Sequence, residues 1–110
     1  MTLRLQRRRF RFALLQPLRT AAGELRERSG WLLRLDDHQG AVGWGEVAPL
    51  QPHQFTACEH ALAALPDELP QAELEAVLRE APGPVGFGLG AASAELQGVA
   101  GVASPRGRLK

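Results

Sequence analysis

Apolar and polar positions alternate with a period of two in the first half of the chain, and recur at helical spacing in the second. Phe10, Phe12 and Leu14 alternate with Arg9, Arg11 and Ala13, which predicts a strand with one buried face and a solvated arginine face. Trp31, Leu33 and Leu35 predict a second strand over 30–36, and 41–47 reads as a third. The turn Asp37-His38-Gln39-Gly40 joins the last two as a hairpin, so the three strands form an antiparallel meander. Between the first and second strands the period lapses over 17–29. There Thr20-Ala21-Ala22-Gly23 is small and flexible, and four of the next five residues are charged. That stretch predicts a long loop, and long loops in compact domains are usually functional or disordered.

Helical signals follow. Thr56-Ala57-Cys58-Glu59 has the form of a capping box, predicting a helix from 56 to about 65 that Pro66 ends. Pro70 suits the first position of a second helix, whose apolar residues are Leu74, Val77, Leu78 and Ala81. A third helix, 85–97, is lined with Gly86, Gly88, Gly90, Ala91, Ala92 and Ala94. Glycine costs a helix about 1 kcal/mol relative to alanine, so this small face implies a close neighbour. The meander and the first two helices offer large side chains, and the neighbour is therefore expected outside the chain. Residues 1–98 read as one domain and 99–110 as an irregular tail. The fold class is α+β: a three-stranded antiparallel β-meander followed by a small helical bundle.

The most distinctive stretch is Gly43-Trp44-Gly45-Glu46-Val47-Ala48-Pro49-Leu50, continued by Gln51-Pro52-His53-Gln54-Phe55. Val42, Trp44 and Glu46 share one strand parity, and with two apolar neighbours that parity reads as the buried face. A carboxylate there must be hydrogen-bonded or paired, so Glu46 is expected to accept from backbone N–H groups or a nearby hydroxyl at the strand end, fixing the 49–55 loop. Gly43 and Gly45 leave the other face bare for another backbone. Pro49 stops the strand and Pro52 stiffens the loop after it.

Composition narrows the function classes. In 110 residues, 45% apolar, there is material for one modest core, and a formal charge of +1 gives no field favouring nucleic acid or an anionic membrane. Arg7, Arg8, Arg9 and Arg11 would suit a nucleic-acid patch only with stacking aromatics beside them, and the aromatics here read as buried. No apolar run approaches the ~20 residues of a membrane span, and the N-terminal arginines precede no leader-like segment. A single cysteine, Cys58, fits a reducing compartment, so the chain reads as cytoplasmic. Gly86-Phe87-Gly88-Leu89-Gly90-Ala91 formally matches a dinucleotide-binding glycine motif but lacks the preceding strand and the later acidic residue. His53, Cys58 and His60 match no common zinc spacing, and Asp36-Asp37 suits a turn.

Taken together, the three-strand meander, the loop after the first strand, the G-W-G-E-x-x-P-L strand end and the helices resemble the N-terminal capping domain of the enolase superfamily. Within it the chain is most similar to the o-succinylbenzoate synthases. Pro17-Leu18-Arg19, Arg28-Ser29-Gly30, the 43–50 segment and Phe87-Gly88-Leu89-Gly90-Ala91-Ala92-Ser93-Ala94-Glu95-Leu96 carry the likeness. It implies a Mg²⁺-dependent dehydratase of menaquinone or phylloquinone synthesis, whose lysines and three metal-binding carboxylates lie in a following (β/α) barrel. This sequence stops before those strands, and its one lysine is Lys110. No catalytic or metal residue carries over, no cofactor is expected on this chain, and the barrel is its expected partner. What carries over is enclosure of a small dicarboxylate substrate by two loops. One comprises Thr20, Ala21, Ala22 and Gly23, and the other comprises Leu50, Gln51, His53 and Phe55. Arg19 and Arg28 flank the first as candidate anion contacts, and Glu46 is structural. The rival reading is a free-standing α+β module that binds a small acid without turning it over.

Overall fold

A computed structural model describes residues 2–21, 23–81 and 83–101. Four strands and three helices alternate in the order β1 (Thr2–Thr20), β2 (Gly23–Asp36), β3 (Val42–Val47), α1 (Pro52–Ala63), β4 (Glu68–Pro70), α2 (Gln71–Glu80) and α3 (Gly83–Gly101). The sheet is antiparallel throughout, in the order β3-β2-β1-β4. The helices all lie on one face. The α+β class is as the pattern predicted, with a fourth strand added. That strand is three residues long, too short for periodicity to show, and it pairs Leu69 with Leu3.

Burial of leucines on the helix-bearing face holds the layers together. Leu3 and Leu5 of β1 and Trp31, Leu33 and Leu35 of β2 meet Leu62 of α1, Leu74 of α2 and Val85, Leu89 and Leu96 of α3. Each fully buried leucine contributes about 1.5–3 kcal/mol. Cys58 sits among them, and burial pushes its thiol up from the ordinary value despite a backbone hydrogen bond involving Val85. It is a small core residue.

The expected long loop at 17–29 is instead strand. β1 and β2 continue as a two-stranded ribbon beyond β3, pairing Phe12 with Arg28 and, after a register shift between Ala13 and Leu18, Leu18 with Leu25. The lapse in periodicity has a physical source. Both faces of this ribbon meet solvent, so no burial enforces alternation, and Leu15 is fully exposed. At the tip Thr20 pairs with Gly23, and the Thr20 hydroxyl donates to the Gly23 carbonyl at 2.8 Å. Ala22 lies outside the described residues.

β3 faces the opposite way from the sequence expectation. Gly43 and Val47 are buried under α3, whereas Trp44 and Glu46 point to the helix-free side. The reason is backbone proximity. A Cβ on Gly43 would collide with the Ala92 carbonyl and lie 2.7 Å from the Leu96 nitrogen, and one on Gly45 would collide with the Gly88 carbonyl. A Cβ on Gly88 would in turn stand 2.7 Å from the Glu46 carbonyl oxygen. The bare strand face seen in the sequence is real, and its occupant is α3 itself. Gly88 and Ala92 of α3 therefore pack on β3 within the chain, whereas Ala91 and Ala94 stay exposed.

α1 begins four residues before the Thr56 capping-box position. Gln51 occupies the N-cap without a side-chain hydrogen bond and Pro52 opens the first turn, where its missing N–H costs nothing. α3 continues to Gly101, past the expected start of the tail at 99, and 102–110 lie outside the described residues. In the hairpin turn, Asp37 accepts the N–H groups of Gln39 (2.8 Å) and Ala41 (3.1 Å), the local role its position suggested.

Candidate functional site

The ribbon and the segment leading into α1 face each other across an open cleft of about 540 Å³. Arg9, Arg11, Leu25, Glu27, Arg28 and Ser29 form the ribbon side, and 49–52 with Phe55 and Thr56 form the other. Strand pairing places the first set: Arg11 stands opposite Ser29, and Arg9 opposite Trp31. Pro49 and Pro52 place the second, ending β3 and starting α1 within three residues of one another.

Of the sequence candidates, Arg28, Leu50, Gln51 and Phe55 line this cleft. Arg19, Thr20, Ala21 and Gly23 lie at the ribbon tip and do not, and His53 is exposed on the first turn of α1. Phe55 packs on Trp31 with ring centroids 4.8 Å apart. Arg9 lies over both rings, 4.9 Å from the Phe55 centroid and 5.9 Å from that of Trp31, with Glu59 at 3.6 Å. Stacked guanidinium and aromatic groups of this kind are attracted by about 0.5–2 kcal/mol. Arg9 thus ties the first turn of α1 to the ribbon.

Arg9 and Arg11 went unread as site residues because the alternation of Phe10, Phe12 and Leu14 assigned the arginines to solvent. The missed signal was the strand's own start. Leu3 and Leu5 carry the parity of Arg7 and Arg9, and that parity is the helix-bearing face.

Electrostatically the cleft is cationic but answered. Arg11 pairs with Glu27 at 3.2 Å and Arg28 with Glu46 at 3.7 Å. The Arg28 Nε–H is buried and has no acceptor among the described residues. No backbone N–H of the described residues donates to Glu46 at the strand end. Its side chain is 56% exposed and Arg28 is its ion-pair partner. Exposed pairs contribute about 0–1 kcal/mol. Glu46→Ala should therefore leave the thermal midpoint within a few degrees of the parent, as followed by circular dichroism; a large drop would mean that the pair holds the 49–52 segment in place. No three His, Cys, Asp or Glu side chains come together as a cation site among the described residues.

Residues 5–96 match the family model described as MenC, N-terminal domain. The chain belongs to that family. The o-succinylbenzoate synthase of Thermosynechococcus vestitus is 54% identical over 48 residues, which are 44% of this chain and 15% of that protein. The o-succinylbenzoate synthase of Edwardsiella ictaluri is 41% identical over 75 residues, covering 67% and 23%. Among solved structures, o-succinylbenzoate synthase from Thermosynechococcus elongatus BP-1, complexed with Mg in its active site, superposes with a TM-score of 0.56 at 37% identity. That match covers 74% of this chain and 25% of the solved one. This MenC N-terminal domain thus spans at most a quarter of the length of the synthases it matches. No helix among its described residues is long and apolar enough to cross a membrane.

Proposed function

We infer that the chain is the substrate-enclosing part of a cytoplasmic o-succinylbenzoate synthase, the dehydratase that forms o-succinylbenzoate on the route to menaquinone or phylloquinone. The observation that carries this reading is the cleft, where the strand segment after the ribbon tip and the segment before α1 converge on Arg28 and Phe55. The solved Thermosynechococcus synthase carries Mg in its active site, and in this reading that chemistry belongs to the barrel part of such an enzyme. This part binds and orients. Arg28, held only by a loose pair with Glu46, offers guanidinium N–H groups to a substrate carboxylate, Phe55 and Leu50 supply apolar walls, and closure excludes water from the reacting carbon. The exposed Leu15 and Leu18 of the ribbon support the same reading, since a two-stranded ribbon is marginal alone and gains from docking on a larger body.

The test is a graft. Purified alone, the chain should form no aromatic product from the hydroxycyclohexadiene carboxylate substrate. Joined to the Thermosynechococcus vestitus synthase in place of the segment it matches, it should restore turnover. Arg28→Ala in the graft should then raise KM roughly tenfold or more, the loss expected of a charge-assisted hydrogen bond to substrate. Tight binding of the substrate by the isolated chain, with an inactive graft, would favour a free-standing small-acid module.

A further inference from the structure

Apart from Arg28, the helix-free face of the sheet lies outside the cleft, and it is unusually apolar for a surface. Trp44, Leu32 and Phe12 stand on it, 53%, 40% and 53% exposed, with Phe10 stacked beside Phe12 at 5.8 Å. Trp44 carries Arg34 over its ring at 5.9 Å. Tryptophan and arginine around an aliphatic centre are the residue types that dominate binding hot spots.

Strand register identifies what this face fits. Leu32 of β2 is paired on one side with Glu46 of β3 and on the other with Arg8 of β1. All three share the outward parity, so a row crosses the sheet as carboxylate, leucine, guanidinium, with neighbours about 4.8 Å apart. Such a row is complementary to itself. A twofold axis through Leu32, parallel to the strands, brings Glu46 of one copy over the partner's Arg8, and Arg8 over the partner's Glu46. The next row runs Trp44, Arg34, Gln6. The same axis sets each Trp44 over the partner's Gln6. The two Arg34 side chains meet near the axis, each already held by its own Asp36 at 2.6 Å. Arg8 has no ion-pair partner among the described residues, and Glu46 has only the loose pair with Arg28.

We propose that the helix-free sheet face is a self-association surface, on which two copies of the chain pack about a twofold axis through Leu32 with reciprocal Glu46–Arg8 pairs. Aligned sheet-on-sheet packing of this kind is a common way to bury two apolar sheet faces.

Charge reversal tests it. In sedimentation equilibrium at low salt, the parent chain should pass from monomer to dimer over the micromolar range. Arg8→Glu and Glu46→Arg should each raise the dissociation constant about tenfold or more, because each homodimer then holds two like-charge contacts. An equimolar mixture of the two variants should dimerise as the parent does, since every cross-pair is again opposite in sign. Both side chains are solvent-exposed, and circular dichroism checks that the variants remain folded. Should either variant unfold, Leu32→Cys gives an independent reading. Facing sheets lie about 10 Å apart, so a short bis-maleimide should link two copies through that position, while the parent's buried Cys58 stays unlinked. A parent monomeric at every concentration, a mixture no better than its components, or no cross-link at position 32 would overturn the proposal.

Discussion

Gly43→Val should come close to unfolding the chain. The backbone of β3 and that of α3 approach so closely that a Cβ at Gly43 would collide with the Ala92 carbonyl and crowd the Leu96 nitrogen. Neither obstacle is a side chain that can rotate away. Helix and strand must separate, which loosens the burial of Leu89, Ala92 and Leu96 against the sheet. Overpacking usually costs about 1–3 kcal/mol, and a clash with rigid backbone belongs at or above the top of that range. For a domain whose total stability is about 5–15 kcal/mol, the thermal midpoint should fall by well over ten degrees. Gly90→Ala is the internal control. It lies on the same helix, and a Cβ there meets nothing within 4 Å. The substitution should stabilise by about 0.5–1 kcal/mol, the usual difference between the two residues in a helix. Thermal melts of both variants decide the matter. If Gly43→Val melts within a few degrees of the parent, the close approach of α3 to β3 is not what the glycines serve.

That contact also shows where sequence reading succeeds and where it stops. The small face of α3 and the bare face of β3 were each visible in the residues. Their mutual contact was not, because parity on β3 was read from Trp44 as the large apolar residue to be buried. Size misleads when two backbones must touch: the bare face turns inward, and the tryptophan is left outside. Glu46 followed Trp44 outward for the same reason, and lost its expected backbone partners. The 30–47 hairpin and α2 were legible, being strongly periodic or bounded by proline. The ribbon was not, since strands exposed on both faces carry no hydrophobic alternation. In the cleft, Leu50, Gln51, Phe55 and Arg28 were found through prolines and family motifs. Arg9 was hidden, because a guanidinium stacked on rings looks in sequence like any solvated charge.

Asp36 should be the most consequential single carboxylate in the fold. It is 5% exposed at the end of β2, where sequence suggested only a turn residue. Its oxygens accept from Arg4 Nε at 3.0 Å, Arg34 at 2.6 Å and the His38 backbone N–H at 3.0 Å. Arg4 and Arg34 come from adjacent strands, and His38 opens the turn with a positive φ of 65°. One side chain thus joins β1, β2 and the turn into β3. Burial by itself would raise the Asp36 pKa. The His38 backbone hydrogen bond and those from Arg4 and Arg34 outweigh it, holding the carboxyl below its usual range. A depressed carboxylate pKa contributes stability that is complete above the unfolded-state value, about 3.9, and is lost as pH falls through the lower folded value. Acid should therefore weaken the parent from about pH 4 downward. Asp36→Ala should cost about 2–3 kcal/mol at neutral pH, the worth of one or two charge-assisted hydrogen bonds, with the loss limited because both arginines still reach solvent. Asp36→Asn keeps the shape and removes the charge, so it should lose nearly as much at neutral pH and show a flatter acid limb. Chemical denaturation at pH 7 and at steps down to pH 3 measures both effects. A variant as stable as the parent at neutral pH, or one with the parent's full acid sensitivity, would show that the three strand segments are held together without Asp36.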